Sequence, residues 1–179
     1  VYGLFAKALD EKAVNHVYQL KRRPRDKALN LNVASLADIL NFSKNQPPYL
    51  QQLVEKFLPG PLTIILKAND KVPDWVNSDL TTVGFRMPNH PVTLELIREF
   101  GPLIGPSANI SGQASGVTFN EILKDFDQEV LGVEDDAYLA GKDSTILDLS
   151  SDKVKILRQG AITREDILAK IPEIPFEEI

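Results

Sequence analysis

Three stretches of this chain carry residue types whose spacing could do chemistry. The first is basic: Lys21-Arg22-Arg23-Pro24-Arg25-Asp26-Lys27 places five cations in seven positions. A dense cation run on a chain of net charge -5 suits a small polyanion, such as a nucleotide triphosphate. It suits long nucleic acid less well, because that binding is mostly phosphate neutralisation by a basic surface. Charge alone leaves a plain solvated run equally open. The second stretch is the loop 105–116, Gly-Pro-Ser-Ala-Asn-Ile-Ser-Gly-Gln-Ala-Ser-Gly. Most such loops are only turn-rich connections. At the end of a strand, however, hydroxyls, an amide and exposed backbone N–H groups can hold a phosphate or a carboxylate. The third is Thr82 with Arg86, four residues apart on an apolar stretch. A strand's period of two puts both on one face, where Arg86 could pair bidentately with a carboxylate. A surface arginine on an edge strand fits that spacing as well.

Other chemistries lack their residues. No glycine-rich loop ends in Gly-Lys-Ser/Thr, and no Gly-x-Gly-x-x-Gly opens a helix. The two histidines, His16 and His90, are far apart in sequence, which disfavours a histidine-rich metal site or a serine–histidine–aspartate triad. The chain has no cysteine, so disulfides, thiolate-bound zinc, iron–sulfur clusters and a cysteine nucleophile are excluded.

These stretches need elements to position them. Asp10 precedes an amphipathic helix carrying Ala13, Val14, Val17 and Leu20, with the basic run at its C-terminal end, where cations also complement the helix dipole. Lys21 and Arg23 therefore read as residues of a basic loop with little apolar surface to lose. Ser35 with Asp38 begins a short helix, and Pro48 opens another that stops at Pro59-Gly60-Pro61. Pro91 opens a helix that ends at Gly101. Thr118 with Glu121 and Thr163 with Asp166 read as capping boxes. Strands are expected over 62–67, 82–87, 103–105, 145–149 and 154–157, the last two close enough to form a hairpin. Irregular alternation of helices and strands predicts an α+β (mixed α/β) fold, a mixed sheet with helices packed on it.

The chain's 179 residues are the size of one domain, and 43 % of them are apolar, enough for a core. Charge is asymmetric: residues 1–67 carry ten cations and five acids, residues 68–179 ten cations and twenty acids. No apolar run reaches membrane-spanning length and no signal peptide is evident, so a cytoplasmic protein without membrane contact is expected.

Seven motifs then occur in order: Val1-Tyr2-Gly3-Leu4, Lys21-Arg22-Arg23-Pro24, Pro59-Gly60-Pro61-Leu62-Thr63, Arg86-Met87-Pro88-Asn89-His90-Pro91, Pro106-Ser107-Ala108-Asn109-Ile110-Ser111-Gly112, Ser144-Thr145-Ile146-Leu147-Asp148 and Leu157-Arg158-Gln159-Gly160-Ala161-Ile162. Together they resemble the YrdC-like domain of threonylcarbamoyl-adenylate synthases, over essentially the whole chain. The resemblance implies a single domain over 1–179, a twisted mixed sheet flanked by helices around a deep cavity. It implies synthesis of threonylcarbamoyl-adenylate and pyrophosphate from L-threonine, bicarbonate and ATP, with magnesium carried by the nucleotide and no metal site in the protein. The product would feed tRNA modification beside the anticodon, through tRNA and tRNA-modifying proteins downstream.

Carried over by motif, Lys21 and Arg23 would be the catalytic cations, facing the nucleotide phosphates with Lys27. Thr82, Ser107, Asn109, Ser115 and Arg158 would complete the ATP site. Arg86 would hold the threonine carboxylate, with Tyr2, Asn32, Gly105 and Ser144 around the amino acid. Three departures stand out. The family's Pro-Thr-Asp-Thr segment is absent before Val1, Ala28 replaces a usual proline, and Asn32 stands where many members have a substrate-contacting histidine. Two rivals share the fold: an RNA-binding or translation-associated module without synthase activity, and another carbamoyl transfer within a larger enzyme, which would need further domains.

Overall fold

The computed structural model describes residues 1–114, 118–126, 130–135 and 143–178. In chain order the elements are β1 (Ala6–Lys7), α1 (Glu11–Lys21), β2 (Leu31–Asn32), α2 (Leu36–Phe42), β3 (Ser43–Lys44), α3 (Leu50–Phe57), β4 (Leu62–Ala68), α4 (Asp74–Asn77), β5 (Thr82–Arg86), α5 (Pro91–Phe100), β6 (Leu103–Ile104), α6 (Phe119–Asp125), β7 (Thr145–Asp148), β8 (Lys155–Arg158) and α7 (Arg164–Lys170). The strands form one sheet in the order β1-β6-β2-β5-β4-β7-β8, and β3 also pairs with β4. Parallel pairs (β2 with β5, β4 with β7) sit among antiparallel ones, and β7 and β8 form the expected hairpin. The mixed α/β architecture agrees with the sequence reading.

Helix ends follow their capping chemistry. The Asp10 side chain accepts from the Ala13 N–H at the start of α1, and Ser35 accepts from Asp38 at the start of α2. Both expected capping boxes are complete, Thr118 with Glu121 and Thr163 with Asp166. The helix expected from Pro48 begins instead at Leu50, and α4 and the two-residue strands β1, β2 and β3 were not anticipated.

Strand register sorts the sheet into two faces. Leu62, Ile64 and Leu66 of β4 are buried; Ile64 lies beside Phe85 and Leu147, Leu66 beside Val83, and these partners are buried too. Each such side chain removed from water contributes about 1.5–3 kcal/mol. The opposite face carries Thr82, Gly84 and Arg86 of β5, Ile146 and Asp148 of β7, and Arg158, which pairs with Ile146. That polar face positions the candidate site.

Candidate active site

Lys21 ends α1, and the chain then reverses: Arg22 adopts the left-handed conformation (φ 52°) and the Arg23 N–H donates to the Tyr18 carbonyl at 2.9 Å. Lys21 lies on the buried face of α1, in helical register with Val14, Val17 and Tyr18, so its side chain points inward. Only 1 % of Lys21 is exposed, and its ammonium donates to the carbonyls of Ser107 (2.5 Å) and Asn109 (2.7 Å). Its own carbonyl accepts from the Ser111 N–H. Burial, and then the neighbouring Arg23, lower the Lys21 pKa to about 8. The expectation that Lys21 is a loop residue of little structural weight is therefore corrected: it latches helix α1 to the 105–113 loop.

Arg23 donates to the carbonyls of Lys27 (3.3 Å) and Ala28 (2.7 Å), and burial lowers its pKa as well. The rest of the basic run is more ordinary. Arg25 stacks over the Tyr18 ring at 4.8 Å and bonds Asn15, while the exposed Lys27 contributes its carbonyl to Tyr18 and Arg23.

The 105–113 loop is held from within. The Ser107 hydroxyl donates to the Asn109 side-chain oxygen, and the Asn109 amide donates to the carbonyls of Ile110 and Gln113, both at 2.9 Å. Both side chains thus shape the loop. The buried Ser111 hydroxyl has no hydrogen-bond partner among the described residues. The N-terminal segment lies along this loop: the Leu4 N–H donates to Pro106, and the Ala108 N–H to Tyr2. The Tyr2 hydroxyl accepts from the Asp135 N–H at 2.9 Å, and its ring lies 5.9 Å from that of Phe119. Gly105 is needed for space: a Cβ there would lie 2.4 Å from the Phe5 ring and 3.0 Å from the Asn32 amide nitrogen.

Asn32 links this loop to the sheet. It pairs with Arg86 on β5 and with Leu103 on β6, and its amide donates to the Leu103 carbonyl at 3.2 Å. Arg86 is half-buried, and among the described residues it forms no salt bridge and its shielded Nε has no hydrogen-bond acceptor. Burial, and then the like charge of Arg158, lower its pKa. Arg158 grips one residue twice, Nε to the Ser144 carbonyl (3.0 Å) and Nη2 to the Ser144 hydroxyl (3.1 Å). The 159–162 turn holds that arrangement. A Cβ on Gly160 would fall 2.4–2.5 Å from the backbone of residues 143–145, and the buried Thr145 hydroxyl ties Gly160 and Ile162.

The structure thus gathers Lys21, Arg23, Ser107 and Asn109 on one side and Arg86, Arg158 and Ser144 on the other, joined through Asn32 and Gly105, with Tyr2 along the loop. None of the four cations Lys21, Arg23, Arg86 and Arg158 has a carboxylate partner among the described residues. Thr82 shares the face of Arg86 as its spacing predicts. It opens the strand that Arg86 closes, about 13 Å away at roughly 3.3 Å per residue, so it is not brought to the cation cluster. Ser115 lies outside the described residues. One concave space of about 650 Å³ lies beside Tyr49, Lys67 and Ser150 and another of about 270 Å³ beside His16 and Arg22; the residues of the cation cluster line neither of these. Sequence reasoning passed over Thr63, whose buried hydroxyl lies 3.1 Å from that of Ser144. The Pro-Gly-Pro-Leu-Thr motif was the available signal.

The sequence profile of the Sua5, YciO and YrdC proteins, described as "Telomere recombination", matches residues 1–160. The chain belongs to this Sua5/YciO/YrdC family. It is 38 % identical to the threonylcarbamoyl-AMP synthase of Bacillus subtilis over 99 % of its own length and 52 % of that protein's. It is 40 % identical to a putative threonylcarbamoyl-AMP synthase of Methanocaldococcus jannaschii, covering 90 % of this chain and 76 % of that one. Among solved structures, Pyrococcus abyssi Sua5 complexed with L-threonine matches with a TM-score of 0.87 at 37 % identity, over 99 % of this chain and 53 % of that one. This family member therefore spans about half the length of its Bacillus and Pyrococcus relatives. No helix among its described residues is long and apolar enough to cross a membrane.

Proposed function

We propose that this domain makes threonylcarbamoyl-adenylate and pyrophosphate from ATP, L-threonine and bicarbonate. The observation that carries the reading is the set of desolvated cations that have no carboxylate partner among the described residues, above all Arg86, whose Nε finds no acceptor among them, beside Arg158. Desolvating cations is costly, and anions arriving among them offset that cost. The named synthases among the relatives, and a relative complexed with L-threonine, supply the chemical class of those anions.

The chemistry asks for no protein nucleophile. The threonine amine and bicarbonate combine to a carbamate with loss of water. A carbamate oxygen attacks the α-phosphorus, the α–β anhydride bond breaks, and pyrophosphate leaves. Arg86 holds the amino-acid carboxylate by its planar fork, and Asn32, Gly105, Ser144 and Tyr2 surround it. Lys21, Arg23 and Arg158 neutralise the phosphates and the charge that builds on the leaving pyrophosphate, with Lys27 at the rim. Ser107 and Asn109 keep the loop beneath the nucleotide in shape, and magnesium arrives with the phosphates as part of the substrate. The product would serve tRNA modification downstream, in a cytoplasmic setting. Pyrophosphate release tests the reading: it should require ATP, threonine and bicarbonate together, and release that ignores threonine would defeat it.

A further inference from the structure

Arg158 is exposed, sits on the edge strand β8 and acts on Arg86 with like charge, and among the described residues neither has a carboxylate partner. Repulsion from Arg86 and side-chain entropy both favour its turning away. Its side-chain hydrogen bonds go to Ser144, one to the carbonyl and one to the hydroxyl. A serine hydroxyl can rotate, so something must fix it. Thr63 is placed to do so.

Thr63 lies on β4 beside Ile146 of β7 and is 2 % exposed. Its methyl group lies toward Gly84, 3.4 Å from where a Cβ on that glycine would stand. With the methyl lodged there and χ1 stiff, as in any β-branched residue, the hydroxyl is directed to Ser144 at 3.1 Å. Among the described residues, the Thr63 hydroxyl has no other hydrogen-bond partner. A purely packing role would be filled as well by valine, which leaves no buried hydroxyl to satisfy.

We propose that Thr63 is a positioning residue: through the Ser144 hydroxyl it holds the Arg158 guanidinium where it faces Arg86 and the substrate phosphates. The inference rests on the synthase reading for the substrate, and on geometry alone for the arrangement. Thr63→Val removes the hydroxyl at nearly constant volume, and Thr63→Ser restores it.

The first arm follows exchange of the Arg158 Nη2–H protons, which bond the Ser144 hydroxyl, in nitrogen-labelled protein without substrates. Thr63→Val should speed that exchange by about tenfold, the equivalent of one hydrogen bond to a charged group, while Thr63→Ser stays near wild type. The second arm is pyrophosphate release: Thr63→Val should raise the KM for ATP about tenfold with a smaller effect on kcat and on the KM for threonine. Should Thr63→Val not fold, Thr63→Ala carries both arms. Wild-type exchange and wild-type KM in the valine variant would overturn the proposal, as would Thr63→Ser being equally impaired. If wild-type protein shows no threonine-dependent turnover, the synthase reading falls, and the exchange arm still decides the role of Thr63.

Discussion

The Lys21 ammonium donates to the Ser107 carbonyl at 2.5 Å, closing 86 residues of chain with one contact. A second bond to Asn109 means that one cation sets the shape of the loop beneath the proposed nucleotide. Two of its three N–H donors are spent on carbonyls. In the proposed site the same side chain would serve both structure and phosphate binding, and its replacement should show both effects.

Lys21→Met should destabilise the protein by about 1.5–3 kcal/mol, the worth of hydrogen bonds from a charged group, in place of the roughly 0.5 kcal/mol of a surface change. Urea unfolding measures this. Arg23→Ala, whose bonds go to the adjacent loop, should cost less stability while still weakening ATP binding.

The lowered Lys21 pKa has two signs to test. Folded Lys21 loses its proton near pH 8, and unfolded lysine near 10.5. Between these values the unfolded chain binds more protons, so stability rises with pH there, and Lys21→Met should lack that rise. Affinity for phosphate moves oppositely, because the cation is lost. kcat/KM for ATP should fall above about pH 8, whereas the fall in kcat should lie higher, since bound phosphate favours the charged form.

Arg86→Lys keeps the charge and loses the planar fork. It should raise the KM for threonine about tenfold or more, with ATP binding measured without threonine near wild type. Arg86→Ala should do the same more strongly. Equal loss of both substrates would assign Arg86 to the phosphates instead.

Gly160→Ala places a methyl group 2.4–2.5 Å from the backbone of residues 143–145. Backbone cannot swing aside as a flexible side chain can, so the cost should be about 1–3 kcal/mol, with Arg158 displaced. A thermal melt and the ATP KM should change together.

Asp166 caps α7, and its hydrogen bonds with Thr163 hold its carboxyl below the usual carboxylate range. Its contribution is present above the unfolded pKa and lost as pH falls through the folded one. The stability difference between wild type and Asp166→Asn should therefore be visible at pH 7 and vanish in acid.

Much of this organisation is legible in the sequence where the signal is local. Asp10, Ser35, Thr118 and Thr163 mark helix starts because capping is settled within three residues. β4, β5, β7 and β8 are long enough to show apolar character. The two-residue strands β1, β2 and β3 carry no periodicity to read. Lys21 at a helix end reads as a solvated cation, yet it continues the buried stripe of Val14, Val17 and Tyr18, and its partner carbonyl lies in a loop 86 residues away. The Thr63–Ser144 contact spans 81 residues and depends on β4 pairing with β7, which neither motif announces. The resemblance assigns Arg86 to threonine and Arg158 to the nucleotide, and the sheet register projects both from the same face, three strands apart.

The most direct test of the central claim is mass spectrometry of the nucleotide product formed from ATP, threonine and carbon-13 bicarbonate. The account predicts an AMP adduct containing threonine and the labelled carbon, formed in step with pyrophosphate, strongly reduced in Arg86→Lys at low threonine. ATP cleaved to ADP and phosphate, or an AMP product without the label, would contradict it.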